Sequence, residues 1–243
     1  MNWVAAEVVE FIEETSRVRS IVFDCPDWQG HLPGQHIDLR LTSEDGYIAQ
    51  RSYSIATPAD ANRVVITVEK VDDGEVSPFL IEELRIGDHI EVRGPIGGYF
   101  VWEPAMGGPL QLIGGGSGVV PLMAMIRLRA ESGSDVSTRY LSSARSHDDV
   151  LYRSELEGLS SIDGFEVLHT LTRSHPPDWT GPSRRVDREM LAEHTWPAEL
   201  SPLCFVCGPT GFVEFVATTL VELGHSPDRV KTERFGPTGG GPS

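Results

Sequence analysis

A chain of 243 residues, 40% of them hydrophobic, can bury one large core or two small ones, which excludes global disorder. A net charge of −16 opposes long-range attraction to nucleic acid or anionic membranes, and three cysteines cannot build a disulfide framework. No apolar run approaches the ~20 residues that cross a bilayer, and MNWVAAEVVEFIEE lacks a basic-then-apolar leader pattern, so a soluble cytoplasmic protein is expected.

The first hundred residues read as short strands. The candidates are VAAEVVEF (4–11), VRSIVFDC (18–25), HIDLRLT (36–42), RSYSIAT (51–57), RVVITVEKV (63–71) and HIEVRGPI (89–96). Turn residues separate them at LPGQ, TPAD, DDGE, RIGD and RGPIGG. Evenly spaced strands of this kind predict a small antiparallel β-barrel domain over residues 1–104. SPFLIEEL predicts one helical insert, with Ser77 as N-cap and Pro78 at the first helical position.

After EPAMGGP (103–109) the rhythm changes to strand–helix alternation. LQLIGGG, STRYLSSA, FEVLHTLT, LCFVCGP and VKTERFG read as strands. VVPLMAMIRLRAE, LYRSELEGL, REMLAEH and FVEFVATTLVEL read as the helices between them. Such alternation predicts right-handed βαβ units and a parallel sheet, hence an α/β domain over 105–237, with 238–243 as a flexible tail. The acidity is uneven: residues 1–104 hold 19 acidic and 8 basic residues (net −11), and 105–243 hold 17 and 12 (net −5). The less acidic half suits an anionic dinucleotide, and solubility alone is the plainer reading of the acidity.

Several segments could carry chemistry. Cys204 and Cys207 form a CxxC, but they lie in an apolar strand-like run without a second ligand pair, so packing is the better reading. An iron–sulfur cluster of the plant type needs a cysteine spacing that is absent, the histidines are scattered, and no metal site is expected. Gly114–Gly118, between a strand and a helix, would let a backbone approach a pyrophosphate at a helix N-terminus, though a tight turn needs such glycines too. In Arg51-Ser52-Tyr53-Ser54 an arginine could hold a phosphate bidentately, and a tyrosine one pleat away could lie on a planar ring. Taken alone, that segment also reads as an ordinary strand with an exposed arginine. Arg145, Arg173, Arg184 and Arg185 each read equally as solvated charges.

The ordered set carries more than its members. PGQH (33–36), RSYS (51–54), DDGEVSPFL (72–80), GDHIEVRGPIGGYF (87–100), GGGSGVVPLM (114–123), LSSAR (141–145), VCGP (206–209) and ERFGP (233–237) follow one another along nearly the whole chain. The set resembles the ferredoxin–NADP reductase superfamily, and its ending is similar to the reductase half of flavohaemoglobins and to oxygenase reductases. That resemblance implies FAD rather than FMN, with NADPH or NADH as electron donor. Arg51 would bind a flavin phosphate, with Ser52 beside it; Tyr53 would pack on the flavin ring and Ser54 would meet its redox-active edge. Thr67 and Val68 would add backbone contacts, and Gly74, Val76 and Ser77 would hold the pyrophosphate. Gly115, Gly116, Ser117, Gly118, Val119 and Val120 would cradle the dinucleotide, and Arg145 is a candidate for the 2′-phosphate of NADPH. Cys207, Gly208 and Pro209 would flank the nicotinamide, and Glu233, Phe235 and Gly236 would reach the flavin. Cys207, Glu233 and Ser54 would be the catalytic set. His36 departs from the family's usual tyrosine. The implied activity is hydride transfer from NAD(P)H to FAD, then electron delivery to a separate redox protein: a ferredoxin, flavodoxin or oxygenase component. A free-standing flavin or ferric reductase, or a non-catalytic flavin-binding subunit, are the alternatives.

Overall fold

The computed structural model describes residues 2–43 and 45–235. It divides into two compact units, Met1–Glu103 with Met123–Leu128, and Pro104–Leu122 with Arg129–Ser243.

The first unit is an antiparallel sheet of six strands: β1 (Val4–Thr15), β2 (Val18–Asp24), β3 (His36–Thr42), β4 (Ile48–Ser54), β5 (Arg63–Glu69) and β6 (His89–Ile96). Their order is β4-β3-β6-β1-β2-β5. Just past β4, Ile55 bridges Ile66 and the Ala56 N–H donates to the Val65 carbonyl at 2.8 Å, so the chain returns to β5 and the sheet closes on itself. Alternating residues turn inward: Ile21 and Phe23 on β2, Ile37 and Leu39 on β3, Val64, Ile66 and Val68 on β5 are all fully buried. Each such side chain contributes about 1.5–3 kcal/mol by leaving water, and this burial is what holds the barrel together.

All six expected strands form, with β1 running on to Thr15 and β4 starting three residues early at Ile48. The helical insert is a single π-helical turn, Phe79–Glu83. Ser77 does not cap it. Pro78 is already helical there, and the Ser77 hydroxyl instead accepts the Val71 N–H at 3.0 Å, tying the two ends of the 71–77 loop together.

The second unit is a parallel sheet with helices between its strands: β7 (Leu110–Gly115), α1 (Val119–Glu131), β8 (Thr138–Ala144), α2 (Arg153–Leu159), β9 (Phe165–Leu171), α3 (Arg188–His194), β10 (Leu203–Pro209), α4 (Thr210–Glu222) and β11 (Val230–Phe235). The strand order is β11-β10-β7-β8-β9. The chain therefore winds outward from β7 through β8 to β9, crosses back to the other side of β7, and ends with β10 and β11. The reversal lies between β7 and β10, and in open α/β sheets the crevice at the carboxyl ends of such a pair is where ligands bind. α1 and α3 span the residues their sequence pattern predicts; α3 is capped by Asp187, whose carboxylate accepts the Met190 N–H at 2.8 Å. α2 starts two residues late, because Tyr152 adopts a left-handed conformation (φ +56°).

Candidate functional site

In the first unit, the closure of the barrel is incomplete where the candidate residues lie. The β4–β5 bridge occurs at Ile55–Ile66. Counting the antiparallel register onward sets Ser54 against Thr67 and Tyr53 against Val68, beyond the point where the two strands stop pairing. The outer edge of β4 from Arg51 to Ser54 and the facing edge of β5 thus offer backbone groups to something other than each other. Registry with β3 puts Arg51 and Tyr53 on one face, opposite Leu39 and Ile37, and Ser52 and Ser54 on the other, opposite Asp38 and His36.

Each side chain has a definite engagement. Tyr53 is half-buried against the barrel core, and burial pushes its hydroxyl up to about 12, so it stays neutral. Ser52 donates to Asp38 at 2.6 Å. Burial works against an ionised Asp38, but hydrogen bonds from Ser52 and Arg93 outweigh it and hold that carboxyl below its usual range. Val68 and Val76 are buried, so only their backbone can face a ligand, and the Thr67 hydroxyl bonds Ser20 at 2.7 Å. Arg51 is exposed; its Nη1 donates to the Gln50 carbonyl at 2.7 Å and its Nη2 to Glu75 at 3.0 Å. Since Glu75 lies inside Gly74–Ser77, the two segments that the sequence nominates for phosphate meet at one place. Arg51 also already grips an anion there, which shows that its donors fit one. The guanidinium, the glycine loop and the stretch where β4 and β5 stop pairing with each other together fit a flavin nucleotide.

In the second unit, glycine does most of the shaping. Gly116 has φ +57° and open space around its Cα; a turn Gly116–Gly118 leads from β7 into α1. A Cβ on Gly118 would lie 2.4 Å from the Cys207 carbonyl oxygen and 2.6 Å from the Gly208 nitrogen, so the turn is pressed onto the end of β10. Ser117 is half-buried, and the Val119 and Val120 side chains are buried, leaving backbone as their means of contact. The turn thus stands at the N-terminus of α1 with open space beside Gly116, the kind of place where a dinucleotide pyrophosphate can be received.

Strand registry places Glu233, Cys207, Gly114, Ser142 and His169 in one row across β11, β10, β7, β8 and β9. Residues in register share a face, so the row lines a single surface near the carboxyl ends of all five strands. Burial, reinforced by Glu233, pushes the Cys207 thiol well above its usual range, so it packs as a neutral group. Burial raises the half-buried Glu233 carboxyl to about 7. At the other end of the row, Ser142 and His169 Nδ1 lie 2.6 Å apart, and burial lowers His169 to about 4. Ser142 lies in LSSAR, where the sequence points only to a ribose phosphate beside Arg145, and nothing in its local segment marks His169; registry alone joins the two to Cys207 and Glu233. Nothing in the sequence marks Phe212 either. Its ring lies where a Cβ on Gly115 or Gly208 would be, 3.1 and 2.9 Å away, and so sets the spacing of those two backbones.

The remaining expectations sort cleanly. Cys204 and Cys207 are three apart on one strand, so they point to opposite faces of the sheet and cannot act as a pair. Pro209 and Phe235 are exposed, in register at the ends of β10 and β11. Arg145 is exposed just past β8, and its carbonyl accepts the Arg173 N–H at 2.8 Å, so two arginines share that corner. Arg184 is held by Asp187 and Glu189 instead. Gly236 and the tail 238–243 lie outside the described residues. Among the described residues, no helix is long and apolar enough to cross a membrane.

Comparison with known proteins agrees with this two-domain fold. Residues 5–101 match the oxidoreductase FAD-binding domain and residues 112–218 the oxidoreductase NAD-binding domain. The glycine betaine monooxygenase reductase subunit of Pseudomonas aeruginosa is 34% identical over 237 residues, 95% of this chain but 63% of that protein, so this chain spans a little under two thirds of it. NADH–cytochrome b5 reductase 1 of Arabidopsis thaliana is 30% identical over 236 residues, covering 93% of this chain and 82% of that protein. Among solved structures, the FAD/NAD-binding domain of nitric oxide dioxygenase from Vibrio cholerae matches with a TM-score of 0.86 at 26% identity, over 98% of this chain and all of that one. With a closed antiparallel sheet that matches an FAD-binding domain and a parallel sheet that matches an NAD-binding domain, the chain belongs to the ferredoxin–NADP reductase superfamily.

Proposed function

We propose that the chain is an NAD(P)H-dependent flavoprotein reductase that passes electrons to a separate redox acceptor, with a flavin-binding domain over 1–104 and a nucleotide-binding domain over 105–237. The observation that carries this reading is the row Glu233–Cys207–Gly114 at the reversal of a parallel sheet, in a chain whose other unit matches an FAD-binding domain. A protein redox acceptor, of the kind an oxygenase component or a cytochrome provides, is supported by the printed functions of the two relatives, a monooxygenase reductase subunit and a cytochrome b5 reductase.

The chain's own residues divide the work. Arg51 and the Gly74–Ser77 loop hold the flavin phosphates, and Tyr53 offers a ring face on the same side of β4 as Arg51. Ser54, with the backbone of Thr67 and Val68, meets the flavin where β4 and β5 no longer pair with each other. The Gly115–Val120 turn receives the nucleotide pyrophosphate, and Arg145 is placed for a ribose phosphate. Cys207, Gly208, Pro209, Glu233 and Phe235 border the reacting end of the nicotinamide. Cys207 keeps its proton there and presents a neutral, water-excluding surface. Glu233, at about 7, is poised to hold or release a proton in the neutral range. Bound FAD supplies the chemistry that links a two-electron donor to one-electron acceptors.

The visible spectrum of the purified chain tests this directly. Flavin absorption, bleached by anaerobic NADPH or NADH, is expected, and heat-released cofactor should have the mass of FAD. A chain that binds no flavin even after reconstitution would remove the reading altogether; FMN would remove only the cofactor subtype.

A further inference from the structure

The arginine assigned to the flavin phosphate already holds an anion belonging to the chain. Arg51 Nη2 donates to Glu75 Oε2 at 3.0 Å, and the Tyr47 hydroxyl donates to Glu75 Oε1 at 2.8 Å, so both carboxylate oxygens are engaged. Glu75 is not peripheral to the phosphate segment; it lies within it, between Gly74 and Ser77. A carboxylate in a loop whose purpose is to receive phosphate is opposed to that purpose on charge alone. It competes for the guanidinium, and it repels the phosphate once the guanidinium is given up. Tyr47 keeps this competitor in position. The loop has little freedom to carry Glu75 away, because the Ser77 hydroxyl and the Gly74 N–H both tie it back to Val71. The pair is half exposed, 52% for each side chain, so an anion arriving from solvent can reach and exchange with it.

We propose that Glu75 is an internal competitor for Arg51 that sets flavin affinity below what the arginine alone would give, leaving the flavin exchangeable. The proposal rests on the reading of Arg51 as a phosphate ligand. It concerns the phosphate end of the cofactor, so it separates flavins by their phosphates: FAD and FMN feel Glu75, and riboflavin does not.

The test is equilibrium titration of the full chain, freed of flavin, with FAD and with riboflavin, followed by flavin fluorescence. Glu75→Gln keeps the size and hydrogen-bonding capacity of the side chain and removes its charge. It should lower the Kd for FAD roughly 3- to 10-fold, the scale expected from releasing an exposed ion pair and removing a repulsion, and leave the Kd for riboflavin unchanged. In an Arg51→Ala background the same substitution should gain less, since there is no guanidinium left to release. If Arg51→Ala weakens FAD but Glu75→Gln leaves it unchanged, the competitor is overturned while Arg51 stands as the phosphate ligand. If Arg51→Ala leaves FAD affinity unchanged, the phosphate assignment fails and the competitor falls with it. Equal tightening of FAD and riboflavin would overturn the proposal as well, because the effect would not act through phosphate.

Discussion

In the barrel unit the groups proposed to meet a phosphate are exposed and charged: Arg51 and Glu75 are half in solvent, at the edge of a strand whose partner has splayed away. In the parallel-sheet unit the corresponding work falls to backbone and to buried side chains: Gly118 has no room for a Cβ, and Cys207 is 2% exposed. One site is mounted on the outside of a finished core, and the other is the place where its core's strands end. The first should therefore be adjustable by single substitutions without harm to the fold. In the second, binding and stability should fall together.

The largest effect expected from this contrast is at Gly118. An alanine there would drive a methyl group to 2.4 Å from a backbone oxygen of β10, and backbone cannot swing aside as a side chain can. Gly118→Ala should cost roughly 3 kcal/mol of stability and abolish flavin reduction by NAD(P)H, while bound flavin is retained. Denaturant unfolding and flavin content measure the two halves of the claim. A variant of wild-type stability would show that the β7–α1 turn is free of β10.

Glu233 gives a pH-dependent form of the same coupling. Its carboxyl is raised by burial from the usual 4.5 to about 7 in the folded chain. Between those values the folded state keeps a proton that the unfolded state has lost, so rising pH favours unfolding. This contribution is largest below 4.5, declines as pH climbs to about 7, and is flat above, with a span of at most about 3 kcal/mol. Glu233→Gln cannot titrate and should abolish this slope, raising stability relative to wild type at pH 8 more than at pH 5. Parallel pH profiles for the two proteins would expose Glu233 as an ordinary solvated carboxylate.

Arg51→Ala tests the other side of the contrast. Removing a charge-assisted contact should weaken FAD by about 1.5–3 kcal/mol. Overall stability should stay within about 0.5 kcal/mol, because an exposed side chain away from the core carries little of it. Flavin titration with circular dichroism decides; loss of fold along with flavin would mean that the barrel edge is as integral as the sheet end.

The contrast also explains what could be read in advance. Period-two alternation located all six barrel strands, and strand–helix alternation located α1 and α3 to the residue, because burial of one face dictates spacing. Ser77 reads as a cap from sequence because a serine before a proline is locally indistinguishable from one; its bond to Val71 depends on how the loop closes. The motif residues Arg51, Cys207 and Glu233 were legible as types. Their partners were not: Glu75 is an unremarked letter in GEVS until β4 brings Arg51 to it, and Ser142 and His169 join Cys207 only through the register of a five-stranded sheet. The hydrophobic pattern fixes which face of each strand is buried, but with long crossovers between these strands no turn fixes which residues stand opposite one another.

Arg145 carries the smallest expected effect, and it sharpens the contrast because it is the exposed, charged exception in the backbone-built unit. It follows β8 directly, and backbone bonds from Arg173 and Ser174 to its carbonyl, at 2.8 and 3.2 Å, bring the chain after β9 beside it. Arg184 is already matched by Asp187 and Glu189, whereas Arg145 and Arg173 meet through their backbones. An added phosphate on the adenosine ribose would meet exposed guanidinium there, where water and salt screen the interaction. The preference should accordingly be modest, with Arg145→Ala lowering kcat/KM for NADPH by ~10-fold or less while NADH is nearly unchanged. The loss should shrink further as ionic strength is raised, unlike the effect of Gly118→Ala, which is steric and salt-independent. Steady-state rates with both nucleotides at low and high salt would show it. An unchanged NADPH-to-NADH ratio would take Arg145 out of the nucleotide site and leave that unit's recognition to its backbone alone.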